Sequence, residues 1–204
     1  MSTTVGSSGT PYAELSRGLL RDHVLDAVGE LLSDRPWAKV TMADVSERAG
    51  VSRQTLYHAF GTRNELAQAY VGREANRFLA AVDDAVREHA AEPREALEAA
   101  LEVFLAAARE HPLVRAIISS TDGSEELLRL VTTRGGPLVG LATEHLTELL
   151  VETWTGLERR DAAPVGDALV RLAISYAALP AGEPPETAKM IARLLEPCVR
   201  ELLG

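Results

Sequence analysis

Residues 41–60 read TMADVSERAGVSRQTLYHAF, and this stretch predicts two short helices joined by a tight turn. Thr41 followed by Asp44 is an N-capping signal for a helix over 41–49, because an oxygen-bearing side chain can satisfy the free N–H groups at a helix start. Gly50 stops that helix, and Ser52 caps the next, which runs to about Phe60. Two short helices that cross steeply need a turn residue tolerant of positive φ, which Gly50 supplies. Val45, Ala49, Val51, Leu56 and Phe60 fall where the pair must pack inward. Arg53, Gln54, Thr55, Tyr57 and His58 then point away, a set of donors and acceptors suited to base edges and phosphates. An αα-hairpin with a merely solvated polar face fits the same pattern.

Upstream, Leu20, Val24, Ala27, Val28 and Leu31 recur at spacings of three and four, so a helix is expected from about Leu19 to Ser33, broken at Arg35-Pro36. Residues 1–18, whose beginning is rich in Ser, Thr and Gly, read as a flexible tail. Downstream, Thr62-Arg63-Asn64-Glu65 is a capping box that opens a long helix continuing toward His89. Helical spacing persists at 93–110, 113–120, 124–133, 138–154, 161–179 and 185–203, with breaks at Gly135-Gly136-Pro137 and at 180–184. Alternating β-branched runs are missing, so the fold class is all-α: a three-helix head over 19–65 and a larger helical body over 66–204.

With the helix-turn-helix placed, residues 40–66, VTMADVSERAGVSRQTLYHAFGTRNEL, resemble the N-terminal signature of the TetR family of bacterial repressors. The shared features are a Thr opening the second helix, A-G-V-S at the turn, T-L-Y in the recognition helix, an aromatic four residues after the Leu, and a basic residue before E-L. The resemblance implies a homodimeric, ligand-responsive repressor bound to a near-palindromic operator in double-stranded DNA. It assigns phosphate contacts to Thr41, Tyr57 and Arg63, base reading to Arg53, Gln54 and Thr55, and a variable contact to His58; Ser52 at the helix start joins this set. Two departures from the family pattern stand out. Ser46 replaces a small Ala and adds a hydroxyl, and Arg63 replaces the usual Lys, which makes its contacts more directional.

For the body the resemblance implies architecture alone: a ligand cavity amid the middle helices and a dimer interface on the last two. The final helix agrees, because its apolar residues span more than one narrow stripe and so need two apolar neighbours. A helix buried deep within a monomer is the competing explanation. Leu169, Leu172, Ile191, Leu194, Leu195, Cys198 and Leu202 are the expected interface residues, with Cys198 a buried, inert thiol. The expected cavity lining is Phe78, Leu101, Phe104, Leu105, Ile117, Leu138, Leu141 and Tyr176. Such a lining suits an apolar effector such as a fatty acid, an acyl thioester or a hydrocarbon, with Arg115, His111 or Tyr176 anchoring a polar end. The long fourth helix, beginning at Arg63 and passing Phe78, is the expected route from ligand to head.

The net charge of −9 argues at first against a phosphate-binding protein. Its distribution answers that objection: residues 1–65 carry seven Lys and Arg against eight Asp and Glu, and the remainder carries fourteen against twenty-two. A near-neutral head needs only a few well-placed cations. The single cysteine allows no internal disulfide and no CxxC pair, which favours a reducing, cytoplasmic setting. Neither a signal-peptide pattern nor an apolar run of about 18 residues is present, so export and membrane insertion are not expected. The five histidines form no HExxH, and P-loop, G-x-S-x-G and G-x-G-x-x-G patterns are missing too, so no enzyme, metal or cofactor is expected. A pure protein-interaction module is the remaining rival, for which Arg53, Tyr57 and Arg63 would be incidental.

Overall fold

A computed structural model describes residues 11–111 and 138–203, and every regular element in these ranges is helical. The described helices are α1 (Pro11–Asp34), α2 (Met42–Arg48), α3 (Arg53–Phe60), α4 (Arg63–Glu88), α5 (Pro93–Glu110), α6 (Leu138–Thr153), α7 (Arg159–Ala178) and α8 (Pro184–Leu203). The chain divides into two compact units, residues 1–70 and 71–204, and passes from one to the other within α4. They are called the head and the body below.

Helix α1 begins at Pro11 rather than near Leu19, so part of the expected tail is helical. The first described side chains, from Glu14 to Leu19, are exposed on all sides, and burial starts only at Val24. The apolar stripe that marked the helix in the sequence is therefore its packed part, and the overhanging turns gave no periodic signal. Pro36 ends the helical run, and Trp37–Lys39 forms one turn of 3-10 helix before α2.

The head core joins Val24, Val28 and Leu31 of α1 to Val45, Leu56 and Leu66, each at most 3% exposed. In the body, α5, α7 and α8 share a core of Leu97, Leu101, Leu169, Ala173, Ile191 and Val199. A second cluster joins Val86 and Ala96 to Leu149, Leu150 and Trp154. The indole of Trp154 donates to the Ala90 carbonyl at 2.8 Å, satisfying its one donor beside that cluster. At Gly166 of α7 a β-carbon would approach Thr147 Oγ1 to 2.9 Å, so only glycine lets α6 and α7 pack this closely. The helical segments expected at 113–120 and 124–133 lie outside the described residues. No described helix is long and apolar enough to cross a membrane.

Candidate nucleic-acid interface

The helix-turn-helix is built by side chains bonding to backbone. At the start of α2, the Thr41 hydroxyl accepts from the Asp44 N–H at 3.2 Å while the Asp44 carboxylate accepts from the Thr41 N–H at 2.8 Å, a complete capping box. The Thr41 hydroxyl also donates to that carboxylate, and this bond, followed by the backbone one, holds the Asp44 carboxyl below its usual range. Thr62 and Glu65 repeat the device at α4, where the Thr62 N–H and then its hydroxyl lower the Glu65 carboxyl in the same way.

Gly50 takes φ +63° in the turn, as the sequence demanded. Sequence reasoning underestimated Ser46. Its hydroxyl donates to the Val51 carbonyl at 2.8 Å, and the Val51 N–H returns a bond to Ser46 O at 3.1 Å, so the extra oxygen latches the turn from inside. Gly61, φ +73°, is a second required glycine, because a side chain is strained in that left-handed backbone conformation whatever space surrounds it.

Helix α1 clamps both ends of the pair. Arg21 donates to the Ala59 carbonyl and lies 4.4 Å from the Phe60 ring centre. His23 Nε2 meets the Ala49 carbonyl at 3.0 Å. These two residues carried no signal, since a polar side chain between apolar ones usually means solvent.

Helix α3 starts at Arg53, and the Ser52 hydroxyl caps it by accepting from the Thr55 N–H at 3.0 Å. Ser52 also shares a 2.8 Å hydroxyl contact with Thr55, so both of these expected contact residues have local bonds already. Arg53, Gln54, Tyr57 and His58 are exposed, Tyr57 at 52%. None of the four side chains makes a hydrogen bond or ion pair to any described residue. Elsewhere in the head Arg48 pairs with Glu30 and Asp34, and Arg35 with Asp44. A helix face that keeps its polar groups unspent while its neighbours pair theirs is equipped to bond something outside the chain.

Arg63 stands differently from expectation. Its Nε donates to Val40 O at 2.9 Å, its Nη2 to Trp37 O at 2.5 Å, and its guanidinium stacks 4.4 Å from the Trp37 ring centre.

The comparisons agree with this geometry. Residues 24–70 match the family model for bacterial regulatory proteins of the tetR family, and residues 92–197 match the bacterial tetracyclin repressor C-terminal domain. The HTH-type transcriptional regulator AlkX of Mycobacterium tuberculosis is 37% identical over 187 residues, covering 92% of this chain and 88% of that protein. This chain belongs to the TetR family. It is accordingly a DNA-binding transcriptional regulator and not an enzyme. Among solved structures, the TetR family repressor AlkX from Dietzia sp. strain DQ12-45-1b, implicated in biodegradation of n-alkanes, superposes with a TM-score of 0.66 at 36% identity, covering 89% of this chain and 98% of that one. The HTH-type transcriptional activator FasR of Mycolicibacterium smegmatis is 28% identical over 166 residues, covering 80% of this chain and 73% of that protein.

In the body the expected ligand residues scatter. Phe78 and Phe104 meet edge to face at 5.9 Å. Leu105 and Tyr176 line a cleft of about 820 Å³, together with Ala108, Ala177, Arg109 and Glu183. Leu101 is buried in the α5–α7–α8 core instead, and Leu141 is 52% exposed, so neither lines that cleft. Arg115 and Ile117 lie outside the described residues, as does the side chain of Leu138. His111 is not a free anchor, since its Nε2 meets the Glu74 carboxylate at 3.1 Å.

The expected dimer residues divide in the same manner. Leu169 and Ile191, 4% and 1% exposed, point into their own subunit, because α5 supplies the apolar partner they need. Leu172, Leu195 and Leu202 are half-buried. Leu194 and Cys198 are exposed in the single chain, so neither the leucine nor the thiol is buried within its own subunit. Met190, one turn before Leu194 on the same broad apolar face, is exposed as well.

Proposed function

We propose that the protein is a homodimeric repressor whose two α3 helices occupy successive major grooves of a near-palindromic operator. The carrying observation is the exposed and unspent set Arg53, Gln54, Tyr57 and His58 on α3. Arg53, Gln54 and Thr55 read base edges, while Thr41 and Tyr57 hold phosphates and fix the register. Ser52 sets the start of α3 and His58 adds a peripheral contact. The sign of regulation follows the Dietzia protein, a repressor at 36% identity. Binding of the purified protein to the DNA upstream of its own gene, by mobility shift, tests this reading; indifference to every sequence offered would contradict it.

Dimerisation uses the outer face of α8. Met190, Leu194 and Cys198 form its exposed apolar stripe, and α7 lies beside α8 in the same subunit core. A second copy covers that stripe about a two-fold axis.

The effector is an apolar chain such as a fatty acid, an acyl thioester or a hydrocarbon. Support comes from the cleft bearing Leu105 and Tyr176 and from the Phe78–Phe104 pair. The n-alkane connection of the Dietzia relative points the same way. Helix α4 carries the response, because the chain enters the body through it and Phe78 lies on it. A ligand that favours one setting of α4 lowers operator affinity, and the operator must then weaken ligand binding by the same factor. Titrating fatty acids, acyl thioesters and long-chain alkanes into the protein–operator complex tests the effector class, with release of DNA as the expected result.

A further inference from the structure

We propose that Arg63 is a positioning residue of the head and that Lys39 supplies the phosphate contact beside the start of α2. This rests on the DNA-binding reading above and departs from the role the family resemblance gave Arg63.

A guanidinium offers its donors in a fixed planar fork. In Arg63 two arms of that fork are held by the Trp37 and Val40 carbonyls, and its flat face is covered by the Trp37 ring. Turning it outward to a phosphate would break both bonds and the stacking together. Trp37 and Val40 are themselves buried, at 1% and 0% exposed. The arrangement is therefore a strut from the first turn of α4 to the 3-10 turn that leads into α2.

Lys39 sits between the two carbonyls that Arg63 holds. Its own N–H bonds Pro36 O at 2.9 Å, and the following Val40 N–H bonds Trp37 O at 2.9 Å, so its backbone is fixed from both sides. Its side chain is nevertheless exposed and has no hydrogen bond or ion pair to any described residue. Two residues on is Thr41, the cap of α2 and an expected phosphate contact. A cation with a rigid base, an unspent ammonium and a place beside a helix start that faces phosphate can take a backbone phosphate as a point charge. Among the described head side chains, Lys39 and Arg53 are the cations without an internal partner.

Salt dependence separates the two roles, because each phosphate contact contributes about 0.9 to the slope of log K against log salt concentration. The experiment measures binding to an operator duplex and to an unrelated duplex across a potassium chloride series, for the full-length protein and for Lys39→Gln, Arg63→Lys and Arg63→Gln. Lys39→Gln should weaken binding to both duplexes alike and reduce the slope by about 0.9 per head. Arg63→Lys keeps the charge but cannot span two carbonyls and stack. It should weaken operator binding with an unchanged slope, and shift Trp37 emission toward that of a solvated indole when Trp154→Phe removes the other fluorophore. An unchanged slope in Lys39→Gln would overturn the inference. So would full operator binding by Arg63→Lys combined with a reduced slope in Arg63→Gln, which would return the contact to Arg63. If the unmodified protein bound neither duplex in a salt-dependent way, the DNA reading would fail and take this inference with it.

Discussion

In the head, the turn between α2 and α3 is closed by one hydroxyl, Ser46 on the Val51 carbonyl, and the helix starts are held by two carboxylates, Asp44 and Glu65. In the body, α5, α7 and α8 meet through Leu97, Leu101, Leu169 and Ile191, a set that other aliphatic residues of similar volume could replace. The first kind of structure requires particular residue types at particular spacings. The second requires only apolar residues with helical period. The head therefore announces its function to a reader of the sequence, while the body announces little beyond its helices.

That contrast breaks most readily in α8. Ile191→Glu buries a carboxylate in the α5–α7–α8 core and should cost more than about 4 kcal/mol, unfolding the body. Leu194→Glu, three positions on and 67% exposed, should leave the subunit folded and dissociate the dimer. Sedimentation and thermal melting of the two variants separate the effects. A folded monomer from Ile191→Glu would show that the inward and outward faces of α8 are assigned the wrong way round.

The head should respond to losses far smaller in volume. Thr41→Ala removes one half of a capping box and Ser46→Ala removes the turn latch, each costing about 1 kcal/mol. Both should lower operator affinity as well as the melting temperature, because the caps set where α2 and α3 start. An apolar trim on the body surface, such as Leu179→Ala at 78% exposure, should do neither. Equal sensitivity of the two regions in melting and binding assays would contradict the comparison.

The smallest expected effect is on pH dependence. Asp44 and Glu65 have carboxyls lowered in the folded head, so each contributes stability that is complete above its unfolded pKa and is lost as pH falls through the folded value. The window lies below roughly pH 4, and Glu65 is exposed and Asp44 only half-buried, so the slope is shallow. Asp44→Asn and Glu65→Gln should flatten the acid limb of a plot of melting temperature against pH. An acid limb of the same steepness in the double variant would place the sensitivity elsewhere.

Much of this was legible beforehand, for reasons the residues explain. Thr41, Gly50, Ser52 and Glu65 act within four residues of their own positions, so spacing alone exposes them. Arg21 and His23 bond partners 38 and 26 residues away, and Arg63 bonds partners 23 and 26 away, so no local pattern could show those bonds. The breadth of the apolar face on α8 was readable, but which side meets its own subunit was not: Ile191 and Leu194 are both aliphatic, and only the position of α5 distinguishes them. The expected ligand residues divide in the same way: Leu101 is inward and Leu141 outward, and aliphatic character alone does not tell them apart.

The central claim is that the unspent face of α3 reads DNA, and one binding series tests it most directly. Operator affinity is measured for the unmodified protein, Tyr57→Phe and Arg53→Ala against the operator and a set of single base-pair substitutions. Tyr57→Phe should weaken every duplex by a similar factor, as befits a phosphate contact. Arg53→Ala should cost about 1 to 3 kcal/mol on the operator and lose discrimination at one base pair in each half-site. If both variants bound every duplex as the unmodified protein does, α3 would not be the recognition helix, and the account would be wrong.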